Sequence, residues 1–312
     1  MALDLRPILV DEFASITVTY NPDLTLLESQ LSALCQVQCA IVVDNASEID
    51  DRVRLRELIA RFPNAELIEN DHNLGLGAGI NQGLNRACEL HMRAVLLLDQ
   101  DSGFSYETPI ALLIALNDVQ AQTRSLCCVG PVLVDRTAGL SHGFHHVAHG
   151  WRWSRAYPSP DQPPFAVANL NGSGTTMSLE LVNRLGDMDS ELFIDHIDTE
   201  WSFRVMSGGF GLYGIPWVFF DHRMGERGRR VWIFGWRVWP DRSPLRHYYL
   251  YRNTICLLRR DYVWRIWKVW ALLKMMLTLC IVTLNGPRRA EQWRMIGKGV
   301  VDGLRKRKHE GC

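Results

Sequence analysis

The sequence lacks the cysteine patterns of zinc sites and of disulfide-rich domains. Its eight cysteines are scattered over 312 residues, with no C-x-x-C pair and no Cys/His spacing of the zinc type. Cys127 and Cys128 lie in an apolar run, which predicts a place in the core. Scattered cysteines favour a reduced, cytosolic protein over a secreted one.

Segments that target or anchor a chain are also scarce. The N-terminal residues show no basic stretch followed by an apolar one, so we expect no signal peptide. A membrane-spanning helix needs about 18 or more uncharged apolar residues. The uncharged apolar run at residues 275–284 is too short for that, and we expect its helix to lie in the membrane interface instead. A helical cap packed on the rest of the protein or on a dimer partner is the alternative.

The whole chain has equal numbers of basic and acidic residues, but these are unevenly distributed along the sequence. Residues 1–222 carry 13 basic and 28 acidic side chains, whereas residues 223–312 carry 21 and 6. Seven of the eleven tryptophans lie in the basic part. Basic residues mixed with tryptophan favour a membrane surface as the partner and argue against nucleic acid.

Short apolar strands alternate with amphipathic helices in the first hundred residues. The strands are predicted at 16–20, 40–43, 65–68 and 95–98, and the helices at 24–34, 52–61 and 76–90. This alternation predicts an α/β fold with a doubly wound, mostly parallel sheet, whose polar strand ends converge on one crevice. Residues 135–168 lack periodicity, and we interpret their four histidines as part of a variable loop rather than a metal cluster.

Two carboxylates, Asp99 and Asp101, follow the apolar strand at 95–98. Residues i and i+2 of an extended chain point the same way, and two neighbouring carboxylates are costly unless a cation lies between them. Mg²⁺ or Mn²⁺ carrying substrate phosphates would meet that need. A solvated loop is the alternative.

A glycine-rich stretch at residues 73–81 opens the third helix. Glycines let a backbone approach a ligand, and a helix N-terminus offers N–H groups to an anion. The spacing G-x-G-x-G differs from the dinucleotide fingerprint. A phosphate contact and a purely structural loop both remain open.

A second polar cluster lies at the start of a helix near residue 198. Asp195, Asp198 and Glu200 surround His196, a composition that suits a general base, although Asp198 could equally be an N-cap. His222 follows a short strand pair, 211–213 and 218–220, and is expected at the same sheet edge as Asp99 and Asp101.

These stretches and several others form an ordered set of motifs across residues 13–260. The set comprises Val18-Thr19-Tyr20-Asn21-Pro22, Asp44-Asn45, Asn73-x-Gly75-x-x-x-Gly79-x-Asn81, Asp99-Gln100-Asp101, the run from Phe193 to Trp201, His222-x-x-Gly225, and Pro244-x-Arg246-x-Tyr248-Tyr249-x-x-Arg252-Asn253. With this set the chain resembles the family 2 glycosyltransferases of the GT-A fold, and within them the bacterial rhamnosyltransferases.

The resemblance implies a role for individual residues. The nucleotide sugar would be held by Thr19, Tyr20, Asp44, Asn73, Gly75, Asn81 and Asp99. Asp101 and His222 would bind the Mg²⁺ or Mn²⁺ ion. Asp198 would be the catalytic base with Glu200 beside it, and the acceptor would face Asn171, Gly172, Ser173 and Gly174.

The resemblance also implies the reaction and its setting. We expect an inverting, metal-dependent transfer of rhamnose from dTDP-rhamnose to a lipid-linked glycan of cell-surface polysaccharide synthesis, on the cytoplasmic side of the inner membrane. The alternatives are a family 2 enzyme that uses a UDP-sugar and a non-catalytic nucleotide-binding scaffold subunit. A GT-A catalytic domain is expected at 1–243, followed by a basic, amphipathic helical region at 244–312 that contacts the membrane surface; a homo-oligomer is possible.

Overall fold

The computed structural model describes residues 3–135, 140–221, 228–232, 236–240, 242–285 and 287–305. Contacts divide the chain into two compact units. The first comprises residues 1–148, 154–193 and 197–223, and the second comprises 149–153, 194–196 and 224–312. The predicted domain boundary after residue 243 stays a prediction.

The first unit begins with four strands that alternate with helices. These elements are β1 (Phe13–Thr19), α1 (Leu24–Ala33), β2 (Cys39–Asp44), α2 (Ile49–Ile59), β3 (Ala65–Glu69), α3 (Leu76–Glu89), β4 (Ala94–Asp99) and α4 (Thr108–Thr123). The four strands and the first three helices each overlap the element predicted from the apolar pattern. Strand β4 is fully buried up to Leu98, as expected for a continuous apolar run in the middle of a sheet.

The described chain from there to residue 221 contains strands of two to eleven residues and two α-helices; the first two residues of β8 belong to the second unit. In chain order they are β5 (Cys127–Asp135), β6 (Leu140–Ser141), β7 (Phe144–Ala148), β8 (Arg152–Ala156), β9 (Phe165–Ala166), β10 (Thr176–Ser178), α5 (Leu179–Leu185), α6 (Ile197–Ser207) and β11 (Gly211–Asp221). The prediction of an irregular loop at 135–168 was wrong, because β7 pairs with β8 in a separate two-stranded sheet and β9 joins the main sheet.

The central sheet has the strand order β3-β2-β1-β4-β10-β5-β11-β9. The pairs β1–β2, β1–β4, β2–β3 and β5–β11 are parallel, whereas β10 runs antiparallel to both β4 and β5. The carboxyl ends of β1, β2, β4, β5 and β11 therefore lie at one edge. The predicted mostly parallel α/β fold is confirmed.

Strand β11 is one element where the sequence suggested two. Its register against β5 shifts between Ile215 and Phe219, which marks a bulge. Pro216 lies in the bulge, where a missing N–H costs no ladder hydrogen bond. The predicted pair 211–213 and 218–220 corresponds to the two sides of this bulge.

The second unit consists of a short hairpin and three helices among its described residues. Its elements are β12 (Gly228–Trp232), β13 (Trp236–Pro240), α7 (Pro244–Leu258), α8 (Arg265–Asn285) and α9 (Arg289–Arg305). Helix α9 packs closely on α7 because Gly299 and Gly303 present no side chain: an ideal Cβ at either would lie 2.5 or 2.8 Å from a backbone oxygen of α7. Tyr251, Val282 and Ile296 form a small core.

Residues 194–196 belong to the second unit and have a strained backbone. Asp195 and His196 have φ angles of 64° and 67°, in the left-handed region that non-glycine residues seldom adopt. The buried amide of Asn253 donates to the carbonyl oxygens of Ile194 and Asp195 at 2.7 and 2.9 Å. The Asp195 carboxylate lies 3.3 Å from both Arg242 and Arg246.

Helix α8 is the one described helix that is long and apolar enough to cross a membrane by length and composition. The candidate span is Arg265–Leu284, and 28% of its most apolar window is buried in the protein. The apolar segment is thus longer than residues 275–284, because it continues through Trp267 and Trp270 despite two lysines. Its outer face exposes Val269, Leu272, Leu273, Met276 and Leu284.

Candidate functional site

The loop after β4 carries the two predicted metal or nucleotide carboxylates. Asp99 is the last residue of β4, and the Ser102 amide donates to the Asp99 carbonyl at 3.1 Å, which closes a tight turn around Gln100 and Asp101. Both carboxyl side chains are partly exposed at the carboxyl edge of the sheet. We call residues 99–102 the carboxylate loop.

Gln100 joins the carboxylate loop to the end of β1. Its side-chain oxygen accepts from the Tyr20 amide at 2.8 Å, and its side-chain nitrogen donates to the Tyr20 carbonyl at 3.4 Å. The Tyr20 ring is half exposed, at 51%. The backbone of Tyr20 is therefore held against the carboxylate loop, and its side chain is open to solvent at this end of β1.

The carboxylate of Asp44 is wholly buried and is used to build the turn after β2. Its Oδ1 accepts from Thr19 Oγ1 at 3.0 Å and from Ser47 Oγ at 2.5 Å, and its Oδ2 accepts from the Ser47 amide at 3.0 Å. Arg52 Nε lies 3.6 Å from Oδ2. Thr19 and Asp44, both assigned to the nucleotide by resemblance, thus lie together at 0% exposure, and their roles stay predictions.

Side-chain amides organise the approach to α3. Asn45 donates to the Asn73 side-chain oxygen at 3.1 Å, and that same oxygen accepts from the Gly75 amide at 2.9 Å. The Leu74 amide donates to Asn45 Oδ1 at 2.9 Å, and the Leu76 amide donates to the Phe193 carbonyl at 2.6 Å. Three successive backbone N–H groups therefore already have protein acceptors, and the last of them, that of Leu76, belongs to the first residue of α3.

The glycines of α3 allow close packing, which supports the structural reading of the glycine-rich stretch. Gly75 has a φ of +88°, and an ideal Cβ there would lie 2.6–2.8 Å from atoms of Phe193. Ideal Cβ atoms at Gly79 and Gly83 would lie 2.7 and 2.4 Å from Val18 and Ile16 of β1. Asn81 also has a structural contact, since its amide exchanges two 2.9 Å hydrogen bonds with the backbone of Met188.

The predicted acceptor turn, residues 171–174, lies beside the carboxylate loop. The Ser173 hydroxyl forms a short hydrogen bond with the Ser102 hydroxyl, and both side chains are buried. The Gly174 amide donates to the Leu97 carbonyl of β4 at 2.8 Å. An ideal Cβ on Gly172 would lie 4.0 Å from the Cβ of Asp198. Contacts thus run from the carboxylate loop through the turn to Asp198.

The two predicted catalytic acids of α6 have different surroundings. Helix α6 begins at Ile197, so Asp198 lies inside the first turn and is not the N-cap; its Oδ1 accepts from the Thr199 amide at 2.7 Å, and the side chain is partly exposed. Glu200 is 1% exposed and accepts two hydrogen bonds from Arg204 at 3.0 and 2.7 Å. Asp198 is the acid available to a substrate, and Glu200 is held in an ion pair.

The third expected metal-site residue, His222, lies outside the described residues. Asp221, the residue before it in the chain, is bonded to Gly103 by two backbone hydrogen bonds of 3.0 and 2.6 Å. The end of β11 is therefore fixed next to the carboxylate loop. In the described part of the chain, no group of three or more His, Cys, Asp or Glu side chains is arranged to hold a metal.

Several residues that shape the site were missed by sequence reasoning. Gln30, Gln100 and Ser102 hold the carboxylate loop, and Asp221 ends the strand beside it. One signal was available, because Gln30 is a polar residue on the otherwise apolar face of Leu27 and Leu31. The cysteine prediction was right: Cys127 and Cys128 are buried, and the cysteines of the described region are free thiols.

Comparisons with known proteins agree with this fold. The family described as Glycosyl transferase family 2 matches residues 15–121. A dTDP-rhamnosyl transferase, RfbF, of Shigella flexneri is 27% identical over 292 residues, which covers 93% of this chain and 95% of that protein.

Solved structures of glycosyltransferases share the fold at low sequence identity. The mannosyltransferase PcManGT from Pyrobaculum calidifontis, in complex with GDP-Man and Mn²⁺, superposes with a TM-score of 0.55 at 18% identity, over 94% of this chain and 86% of that one. S. aureus TarS 1–349 gives 0.53 at 15%, over 94% and 81%. GalNAc-T7 with UDP, GalNAc and Mn²⁺ gives 0.56 at 15%, over 82% of this chain, which spans about half (49%) of that longer protein.

The sheet order and the solved structures show that the chain has the fold of the GT-A glycosyltransferases. Residues 15–121 match the model of the family 2 glycosyltransferases, and the chain is similar, over nearly all its length, to a bacterial dTDP-rhamnosyl transferase.

Proposed function

We propose that this enzyme transfers rhamnose from dTDP-rhamnose to a hydroxyl of a lipid-linked glycan, with inversion at the anomeric carbon and with a divalent metal. The observation that carries the proposal is the line of contacts at the sheet edge. It runs from Tyr20 and the carboxylate loop through Ser173 to Gly172 and Asp198. This line supports a donor at the carboxylate loop and an acceptor at the turn. The choice of sugar rests on the Shigella relative.

Asp198 is the base in this mechanism. Its carboxylate accepts the proton of the acceptor hydroxyl as that oxygen attacks the anomeric carbon, and the sugar–phosphate bond breaks on the opposite side. The Thr199 amide bonds Oδ1 and steadies the side chain while it accepts the proton. One displacement suffices, so no second carboxylate has to act as nucleophile, in keeping with the burial of Glu200.

The donor set at the carboxylate loop fits a hard divalent cation. Carboxylate oxygens of Asp101 and Asp99 are the ligand type that Mg²⁺ and Mn²⁺ prefer, and both side chains are partly exposed at the sheet edge. Asp101 and His222 would hold the ion, which supplies positive charge to the diphosphate leaving group. The Mn²⁺ complexes of two structural relatives support a metal at this fold.

A donor screen tests the reaction. Purified protein is incubated with dTDP-rhamnose, UDP-glucose, UDP-GlcNAc or GDP-mannose, each with MnCl₂, with MgCl₂ or with EDTA, and release of nucleoside diphosphate is measured. We expect release with dTDP-rhamnose and its loss in EDTA. If nucleoside diphosphate is released only from a UDP-sugar, dTDP-rhamnose is not the donor and the UDP-sugar takes its place. Binding of dTDP without turnover, even with a lipid-linked acceptor present, would favour the scaffold alternative.

The second unit supports a membrane surface as the site of the acceptor. The outer face of α8 exposes Val269 at 59%, Leu273 at 62% and Met276 at 65%, which is a continuous apolar stripe at helical spacing. Residues 223–312 add a large excess of basic side chains. An apolar stripe with flanking cations fits a helix lying in the interface of an anionic bilayer. We place the enzyme on the cytoplasmic side of the inner membrane.

Vesicle sedimentation tests this placement. The full chain is mixed with vesicles of phosphatidylglycerol and phosphatidylcholine or of phosphatidylcholine alone. We expect binding that needs the anionic lipid and that falls in the double variant Leu273→Gln, Met276→Gln. Ile114→Gln, which changes an exposed apolar residue of α4 in the first unit, is the control. Equal binding by the double variant and the wild type would refute the α8 surface.

A further inference from the structure

Gln30 is a buried glutamine whose amide is fully used. It lies on the inner face of α1 at 2% exposure. Its Nε2 donates to the carbonyl oxygens of Asp99, at 2.8 Å, and of Ser102, at 3.2 Å, so that one side chain holds both ends of the carboxylate loop. A buried polar side chain is costly unless it is bonded in this way, so these contacts define its position.

The two loop carbonyls set the direction of that amide, and the Thr17 hydroxyl bonds its other end. Thr17 Oγ1 donates to Gln30 Oε1 at 2.9 Å, and Thr17 is itself 1% exposed on β1. Carbonyl oxygens can only accept, so both N–H groups of Gln30 point to the loop. A rotated amide would place its oxygen against the Asp99 and Ser102 oxygens and would lose both hydrogen bonds to the loop.

The outer side of the same loop reaches both halves of the proposed site. Gln100 bonds the backbone of Tyr20 on the donor side, and the Ser102 hydroxyl bonds Ser173 on the acceptor side. These side chains can keep their partners only while the loop backbone stays in place. The Gln30 side chain bonds that backbone from the buried face of helix α1.

We infer that Gln30 is a positioning residue, which fixes the carboxylate loop and thereby sets the affinity for the nucleotide sugar. The inference rests on the proposed function, in which this loop holds the donor. Gln30 does not touch the donor, and it acts through the backbone of Asp99 and Ser102.

The test compares Gln30→Met with Gln120→Met. Both changes replace a buried glutamine by an apolar side chain of similar length. Gln120, on α4, is 4% exposed, and in the described part of the chain its amide nitrogen has no hydrogen-bond partner. Two measurements are made on folded protein: amide hydrogen exchange at residues 100–103, and the affinity for dTDP with Mn²⁺.

For Gln30→Met we expect exchange at Ser102 and Gly103 to accelerate about tenfold and dTDP binding to weaken about tenfold, the effect of losing one or two net hydrogen bonds. We expect Gln120→Met to match the wild type in both. Wild-type exchange and wild-type dTDP affinity in a folded Gln30→Met protein would overturn the inference. Exchange needs no turnover, so its result stands even if the donor screen fails.

A second variant covers the case in which Gln30→Met does not fold. Thr17→Val removes only the hydroxyl that bonds the Gln30 amide oxygen, whereas Thr17→Ser keeps it. We expect faster loop exchange and weaker dTDP binding in Thr17→Val and recovery of both in Thr17→Ser. If Thr17→Val behaves like the wild type in both measurements, the hydrogen bonds of the buried Gln30 amide do not control the loop and the inference fails.

Discussion

The carboxylate of Glu200 and the guanidinium of Arg204, one turn apart in α6, form two hydrogen bonds of 3.0 and 2.7 Å. Arg204 also donates to the carbonyl oxygens of Leu185 and Asp187 at 2.9 and 2.7 Å. By holding the Arg204 guanidinium, Glu200 helps to connect α6 to the backbone at the end of α5 and just after it. The Cβ of Asp198, two residues earlier, lies near Gly172 instead.

Glu200→Gln should destabilise the first unit without removing turnover. We expect a loss of about 1–3 kcal/mol, less than for a fully buried pair because the Arg204 side chain is 21% exposed. Urea unfolding measures the loss. Glu180→Gln is the matched control, since Glu180 pairs with Arg184 at the same spacing but on the surface, where such pairs contribute under about 1 kcal/mol.

Asp198→Asn should abolish transfer while leaving the fold and nucleotide binding intact. A general base contributes about 10²–10⁴-fold to a rate, so we expect kcat to fall within that range. Turnover assays and calorimetric titration with dTDP separate chemistry from binding. If transfer continues at the wild-type rate, another group accepts the proton.

Asp101→Asn should weaken metal-dependent nucleotide binding. We expect the affinity for dTDP in Mn²⁺ to drop by at least about 10–100-fold, because loss of a residue that only bonds a metal ligand already has an effect of that size. The affinity of the variant in Mn²⁺ should approach that of the wild type in EDTA. Asp118→Asn, an exposed acid of α4, serves as the control. An unchanged difference between Mn²⁺ and EDTA would remove Asp101 from the metal site.

Two glycines of α9 should respond to alanine in opposite directions. Gly299→Ala would place a Cβ 2.5 Å from the Tyr248 carbonyl oxygen, so we expect a loss of about 1–3 kcal/mol from overpacking. Gly297 has nothing within 4 Å of an added Cβ, so Gly297→Ala should stabilise the helix by about 0.5–1 kcal/mol. Thermal unfolding of the two variants shows whether each substitution raises or lowers the stability. A change in the same direction for both would contradict the packing of α9 on α7.

His196 should make the stability of the second unit depend on pH below neutrality. Burial lowers the pKa of His196 to about 4, with the Asp195 carboxylate opposing the shift and Lys274 and Arg242 adding to it. The Thr254 hydroxyl donates to the Leu250 carbonyl at 2.7 Å, so it accepts from a neutral His196 through Nε2–H at 3.0 Å.

The sign of the effect follows from proton binding. Between the unfolded value of about 6.5 and the folded value near 4, the unfolded chain binds more protons, so stability is complete above pH 6.5 and falls as the pH drops through this window. Urea midpoints from pH 7 to 4.5 should show a steeper decline for the wild type than for His196→Gln. His72→Gln, at an exposed site, should keep the wild-type slope.

The parallel half of the fold could be predicted because its signals are local. The apolar run before Asp99 and the helical spacing of Leu24, Leu27 and Leu31 each identify an element without reference to the rest of the chain. Strand β10 was not predicted, because three residues are too few to show an alternating apolar pattern. They form a strand because they pair with β4 on one side and with β5 on the other.

The site was predictable in its positions but not in its contacts. The carboxyl ends of parallel strands meet at one edge by geometry, so Asp99 and Asp101 could be placed there. The burial of Asp44 and of Glu200 depends on Ser47, Arg52 and Arg204, and the sequence does not say which way these side chains turn. The two residues of the carboxylate loop that Gln30 bonds lie 69 and 72 residues away along the chain.

The amides that open α3 are already bonded to Asn45, Asn73 and Phe193. A departing pyrophosphoryl group at this edge would find the amides of Leu74, Gly75 and Leu76 occupied, so the anion contact that a helix terminus can offer would be left to Gly77 and Ala78, the next residues of the first turn.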